Sequence, residues 1–259
     1  MRKRTTVAML AAATALGGLA APAAEAAQAA KTDGLGDTTI TDVTVDGAGR
    51  IPVGTTDAKT FKVAVVAKDD SGIKRAELYL DGPSYGYLQP DAKVTCVTSA
   101  ADATTSTCTG TFTIDPEIDF ADNTPAGTWY VNAWVDGKDG DYFTSDQAGS
   151  FTVQRLSKLT VDASPEPVKK GKTLTVTGAL TRANWETGAY AGYTNQPAQL
   201  QFRKRDSDTY TTLKTVNTGS RGALNTTVTA TEDGWYRWTF AGTSTTPPAT
   251  AGGDFIDVQ

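Results

Sequence analysis

Few residues in this chain are equipped for covalent chemistry. Among 259 residues there is no histidine. That removes the Ser-His-Asp and Cys-His nucleophile systems and every His-ligated zinc site. Three stretches spell catalytic motifs and fail on context. Gly82-Pro83-Ser84-Tyr85-Gly86 has the letters of a nucleophile elbow but no histidine base and no following helix. Ser71-Gly72-Ile73-Lys74 is a Ser-x-x-Lys on a turn entering a strand. Gly171-Lys172-Thr173 ends like a phosphate loop, yet Glu166 stands at the required first glycine and a strand follows.

Three other groupings carry chemistry of a quieter kind. Cys96 and Cys108, the only cysteines, lie in strand-like runs joined by a small polar loop. A disulfide across that hairpin is worth about 3 kcal/mol in the chain-entropy model. A metal or redox pair is disfavoured, because the chain offers no other soft ligand. Next are the acidic turns Asp69-Asp70 and Asp136-Gly137-Lys138-Asp139-Gly140-Asp141. Closely spaced carboxylates can supply oxygens to Ca²⁺, so Asp69, Asp70, Asp136, Asp139 and Asp141 form a candidate metal set. The second turn misses the EF-hand pattern at Lys138 and Gln147, and Asp-Gly is also ordinary hairpin chemistry. Last comes an aromatic surplus. Tyr130 and Trp134 fall on the outward side of their strand, where they can stack on sugar rings or anchor a protein partner. Trp185, Tyr190 and Tyr193 sit in a loop too long to stay ordered without packing, so they are expected to be buried or to join two domains.

The elements that position these groups repeat. Gly127-Thr128-Trp129-Tyr130-Val131 and Gly234-Trp235-Tyr236-Arg237-Trp238 both place an aromatic two residues after a glycine and then alternate. Period two is a strand buried on one face. A glycine turn opening such a strand is how the penultimate strand of an immunoglobulin-like sandwich begins. Turn signals recur every eight to twelve residues, and no helical periodicity extends over a useful length. The fold class is therefore all-β, two tandem immunoglobulin-like β-sandwich domains. Their expected bounds are 39–155, acidic and disulfide-bearing, and 156–259. Each half is expected to own its core and to fold alone.

Residues 1–26 read as an export signal. Arg2, Lys3 and Arg4 precede an apolar Ala/Leu run, and cleavage falls after Ala26 or Ala29. Residues 27–38, small and polar, read as a flexible leader. No later stretch approaches membrane-spanning length, and no cysteine follows the signal to carry a lipid. Lys and Arg number 24 against 29 Asp and Glu, a net charge of −5. The acidic excess lies in the first domain and no basic face is concentrated, so nucleic acid is not an expected partner.

The runs Pro165-Glu166-Pro167-Val168-Lys169-Lys170-Gly171, Leu180-Thr181-Arg182-Ala183-Asn184-Trp185 and Phe240-Ala241-Gly242-Thr243 resemble a family of exported actinobacterial, Streptomyces-like proteins with two immunoglobulin-like domains. Asp69-Asp70-Ser71-Gly72-Ile73, Ala126-Gly127-Thr128-Trp129 and Lys138-Asp139-Gly140-Asp141-Tyr142 extend the resemblance over nearly the whole chain after the signal. It implies the sandwich fold, supplies no established enzymatic activity to carry over, and brings a "calcium-binding" label that members often bear. The expected function is a secreted, non-enzymatic binding or structural protein of the cell surface or medium, with a protein or polysaccharide partner. The alternative is a calcium-binding accessory protein using the acidic turns. A secreted hydrolase working through paired carboxylates is the remote one.

Overall fold

The computed structural model describes residues 30–259. The export signal at 1–26 and the start of the expected leader lie outside them. The first sandwich is built from β1 (Thr32–Leu35), β2 (Thr39–Val45), β3 (Arg50–Val53), β4 (Lys59–Lys68), β5 (Ile73–Asp81), β6 (Tyr87–Leu88), β7 (Thr95–Thr98), β8 (Thr105–Ile114), β9 (Gly127–Gly137) and β10 (Tyr142–Arg155). One sheet runs β2-β4-β8-β7. The other runs β1-β10-β9-β5-β6, with β3 parallel to the end of β10. That order, β2-β4-β8-β7 facing β10-β9-β5, is the ABED-against-GFC arrangement of an immunoglobulin sandwich.

Alternation explains which faces meet. Phe61, Val63, Val65 and Ala67 point inward from β4, and Trp129, Val131, Ala133 and Val135 point inward from β9. Trp129 is fully buried, and its indole N–H donates to the Pro125 carbonyl at 2.8 Å. Cys96 and Cys108 face each other across β7 and β8 and form the disulfide. The bridge ties the short edge strand to its neighbour within one sheet rather than pinning the two sheets together.

The second sandwich comprises β11 (Ser157–Leu159), β12 (Asp162–Ser164), β13 (Thr173–Asn184), β14 (Ala189–Gly192), β15 (Pro197–Lys204), β16 (Thr211–Asn217), β17 (Ala223–Thr229), β18 (Gly234–Phe240), β19 (Ala249–Thr250) and β20 (Asp254–Ile256). Strand β13 pairs β12 and β17 along its first half and β11 and β14 along its second. The facing sheet is β16-β15-β18, with β19 and β20 on the far edge of β18. Trp238 and Tyr236 of the repeated pattern are buried among Leu174, Val176, Leu200 and Ile256.

Two features differ from the sequence reading. Part of the expected leader is strand, since β1 pairs with β10 from Thr32 opposite Ser145 to Leu35 opposite Tyr142. All four β1 residues are exposed; an edge held by backbone pairing needs no apolar alternation. More consequential, the core of the first sandwich is not made by its own half alone. Strand β13 overruns its own sandwich and delivers Ala183 and Trp185 into the core of the first. The Trp185 ring packs 4.3 Å from Phe120, and its indole N–H donates to the Gly54 carbonyl at 2.8 Å. Asn123 closes the seam. Its amide N–H donates to Asn184 Oδ1 at 2.7 Å, and its Oδ1 accepts the Trp185 backbone N–H at 3.0 Å.

The opposite side of the junction is equally tied. The Arg155 backbone N–H donates to the Thr245 carbonyl, Leu156 to Val53, and Ala183 to Leu156. Desolvation, reinforced by nearby Arg182, lowers the Arg155 guanidinium to about 10, so it remains charged at neutral pH. It donates through Nε to the Ala183 carbonyl at 2.6 Å. Lys158 lies over Tyr190 and Arg182 over Tyr193, each 3.7 Å from the ring centroid. Of the aromatics of the expected loop, Trp185 and Tyr190 pack on the first core and join the two domains, whereas Tyr193 packs edge-on against Phe240 of the second sandwich. Strand β14 orders that loop.

Candidate functional site

Two places in the first sandwich collect the residues singled out by sequence. One is the outer face of the sheet formed by β10, β9, β5 and β6. Because Val131, Ala133 and Val135 point to the core, Tyr130, Asn132, Trp134 and Asp136 must point out. Register sets their neighbours: Trp134 stands opposite Glu77 and Thr144, and Asp136 opposite Arg75 and Tyr142. Trp134 remains 39% exposed, Tyr79 38% and Tyr87 52%. Trp134 stacks on Tyr142 with centroids 4.9 Å apart and planes 9° from parallel. Tyr79 and Tyr87 form a second, tilted pair at 5.9 Å. Beside that pair runs an open groove of about 560 Å³, lined among others by Tyr79, Tyr87, Gln89 and Lys93. Tyr130 is only half-buried, on the same face.

Polar groups hold these rings. The Trp134 indole N–H donates to Asp136 Oδ1 at 2.6 Å, and the Arg75 guanidinium bridges Asp136 and Glu77. Burial pushes the Asp136 carboxyl up, but the bonds from Trp134 and Arg75 outweigh it and leave the group below its ordinary value. Asn132, 1% exposed, donates to Asp81 Oδ2 at 2.9 Å, while its Oδ1 has no partner among the described residues. Burial raises the Tyr79 phenol, helped by Asp81, Tyr87 and Asp146 nearby. Sequence reasoning found Tyr130 and Trp134 and missed Tyr79. Alternation of Leu78 and Leu80 on β5 was the signal that puts Tyr79 outside.

The other place is the end of this sandwich away from the second domain, where the turns after β4 and β9 converge. Ligand-type oxygens of Asp69, Asp139 and Asp141 lie within 4.8 Å of one another, as do those of Asp37, Asp69 and Asp70. Asp136 does not join them. It lies on the strand rather than in the turn, faces out, and is spent on Arg75 and Trp134. Asp37 takes its place, brought in because β1 and β2 are laid along the sheets on either side of it.

Asp69 is buried and accepts from Thr38 Oγ1, Ser71 Oγ and the Ser71 N–H. Burial pushes its carboxyl up, and those bonds outweigh the push to hold it below its ordinary value. Gly36 and Gly137 make the approach possible, since a Cβ at either would overlap the Asp141 or Asp69 carboxylate. Among the described residues none of the five carboxylates forms an ion pair with Lys or Arg. Repulsion from Asp37 foremost, with smaller contributions from desolvation, Asp139, Asp69 and Asp141, raises exposed Asp70. The oxygens suit a hard cation in kind.

A scan against protein-family models and a search of curated proteins return no match. Among solved structures, the chain is similar to the mouse nectin-like molecule 4 ectodomain (Ig1–Ig3) at 15% identity and a TM-score of 0.26, over 84% of this chain and 64% of that one. It thus spans less than two thirds of that ectodomain. Similarity to the D00-D0 domains of intimin is 14% with a TM-score of 0.28, over 83% and 99% of the chains. For a chimeric titin Z1Z2 it is 12% with a TM-score of 0.25, over 88% and 98%. The immunoglobulin-like assignment rests on the strand order itself. Among the described residues no helix is long and apolar enough to cross a membrane.

Proposed function

We propose that this chain is an exported, non-enzymatic binding or structural protein whose first sandwich presents a flat aromatic sheet face to a protein or polysaccharide partner. One observation carries the reading. Tyr79, Tyr87 and Trp134 stay exposed side by side on a sheet whose own core needs none of them. Aromatic side chains in that setting are the usual anchors of a binding surface. The absence of histidine supports a role without catalysis, and the disulfide agrees with an oxidising compartment outside the cytosol. Replacing Tyr87 and Trp134 by serine is expected to leave the melting temperature within a few degrees, as both lie outside the core. Retention of the protein on cell-wall or culture-medium fractions is expected to fall about tenfold or more. Retention unchanged by the double substitution contradicts the reading.

The carboxylate cluster favours a second reading, a calcium-binding accessory role. Asp37, Asp69, Asp70, Asp139 and Asp141 supply the oxygens; Asp136 is withdrawn from the set. With surface exposure and mutual repulsion, the expected affinity is that of weak extracellular modules, about 10⁻⁴–10⁻³ M. Calorimetric titration with Ca²⁺ checks it. Saturable heat that disappears in Asp139→Asn plus Asp141→Asn supports the site, and heat indifferent to those changes leaves the aspartates as turn residues.

A further inference from the structure

The second sandwich also carries an aromatic face, of different character. On the outer side of β15, β18 and β20, register places Arg203 opposite Trp235, Gln201 opposite Arg237, and Trp235 opposite Phe255. Guanidinium and ring alternate across it. Arg237 lies 3.6 Å from the Tyr210 centroid, Arg203 lies 5.5 Å from Tyr210 and 5.1 Å from Trp235, and Trp235 lies 5.2 Å from Phe255. Among the described residues Arg203 donates only to the Ser207 carbonyl and Arg237 only to Gln201 Oε1. Neither forms an ion pair with a carboxylate among the described residues. Most of their fixed, planar donors are therefore uncommitted, in the geometry that suits carboxylates.

The complement is present on the same chain. Near the exposed tyrosines and Trp134 of the first sandwich lie three carboxylates. Glu77 stands opposite Trp134 and is ion-paired with Arg75, and Asp81 accepts from Asn132. Asp146 accepts the Lys31 backbone N–H and lies near Tyr79. Each carboxylate keeps lone pairs for further donors. The central cation there, Arg75, is already spent on Asp136 and Glu77, while Lys93 stands at the edge. We propose that the arginine–aromatic face of the second sandwich docks on the acidic–aromatic face of the first sandwich of a second copy. The reading rests on the proposed binding role of the first face and names its occupant. Both faces are sheet surfaces with rings standing among charges, and they bear opposite signs. Pairing them joins uncommitted guanidinium donors to carboxylates and covers Tyr79, Tyr87, Trp134 and Trp235 together. The contact is heterologous, using two different patches of one chain, so two copies either close by exchanging both contacts or extend head to tail.

Sedimentation velocity on the mature chain, over micromolar to millimolar concentration, tests this. At 0.1 M salt the average mass is expected to rise with concentration. At 1 M salt, where the screening length falls from about 10 Å to about 3 Å, association is expected to weaken about tenfold or more. Arg203→Glu plus Arg237→Glu, and separately Glu77→Lys plus Asp146→Lys, are each expected to give a monomer. Mixing the two variants brings the unaltered acidic face of one to the unaltered arginine face of the other, and the new Glu face to the new Lys face. It is expected to give a mixed dimer, which a globally misfolded variant cannot do. A wild-type chain that stays monomeric throughout, or variants that associate as wild type does, overturns the proposal. If such a monomer is still retained by cell-wall or medium fractions through Tyr87 and Trp134, the occupant is another molecule and the binding role stands. If that retention is lost as well, both readings fall.

Discussion

Replacing Trp185 with alanine is expected to lower the stability of the first sandwich by about 3–5 kcal/mol, the range for truncating a large buried aromatic. The effect crosses a domain boundary. Trp185 belongs to the strand system of the second sandwich but is 5% exposed within the core of the first, against Phe120. Its removal leaves a cavity under Phe120 and Trp129, which are themselves 6.4 Å apart, and strips the Gly54 carbonyl of its indole donor. Deleting a partner of a buried polar group adds to the cavity cost. The second sandwich is expected to hold, because its own cluster draws only on residues 159–258. Urea denaturation followed by near-ultraviolet dichroism reads the loss. A change below about 1 kcal/mol would show that the ring fills a surface recess rather than a core.

What could be read from sequence followed the alternation of side chains. Strands β4, β5, β9 and β18 announce themselves because every second residue is apolar, and that pattern also fixes which aromatics face out. The disulfide was legible because two cysteines in paired strands have few alternatives. The convergence of Asp69 with Asp139 and Asp141 was legible too, since the turns after the second and penultimate main strands share one end of such a sandwich. Asp37 was hidden. Its segment has the small polar residues of a leader, and β1 is held by backbone pairing that leaves no side-chain signature. Asp136 misled by proximity in sequence, although alternation along β9 already turned it toward Arg75.

Strand β13 was the largest gap. Its first half alternates, but beyond Gly178 the run Ala179-Leu180-Thr181-Arg182-Ala183-Asn184 does not, because that half is covered by different neighbours, β11 and β14, and then by the other domain. No local pattern signals a strand whose partner surface lies beyond its own domain.

Ala183 and Trp185 complete the core of the first sandwich, hold the two sheet faces in a fixed relation and make the halves unequal. Separating them is the direct measurement. Residues 156–259 expressed alone are expected to give a cooperative melt, because the buried cluster of that sandwich is its own. Residues 30–155 alone lose Ala183, Trp185 and the Asn123 partners in one step. They are expected to be less stable than in the whole chain by at least the Trp185→Ala loss of about 3 kcal/mol, even with the disulfide intact. A 30–155 fragment that unfolds at the same urea concentration as its sandwich does in the whole chain would contradict the account, and the junction would then be a contact between two finished domains.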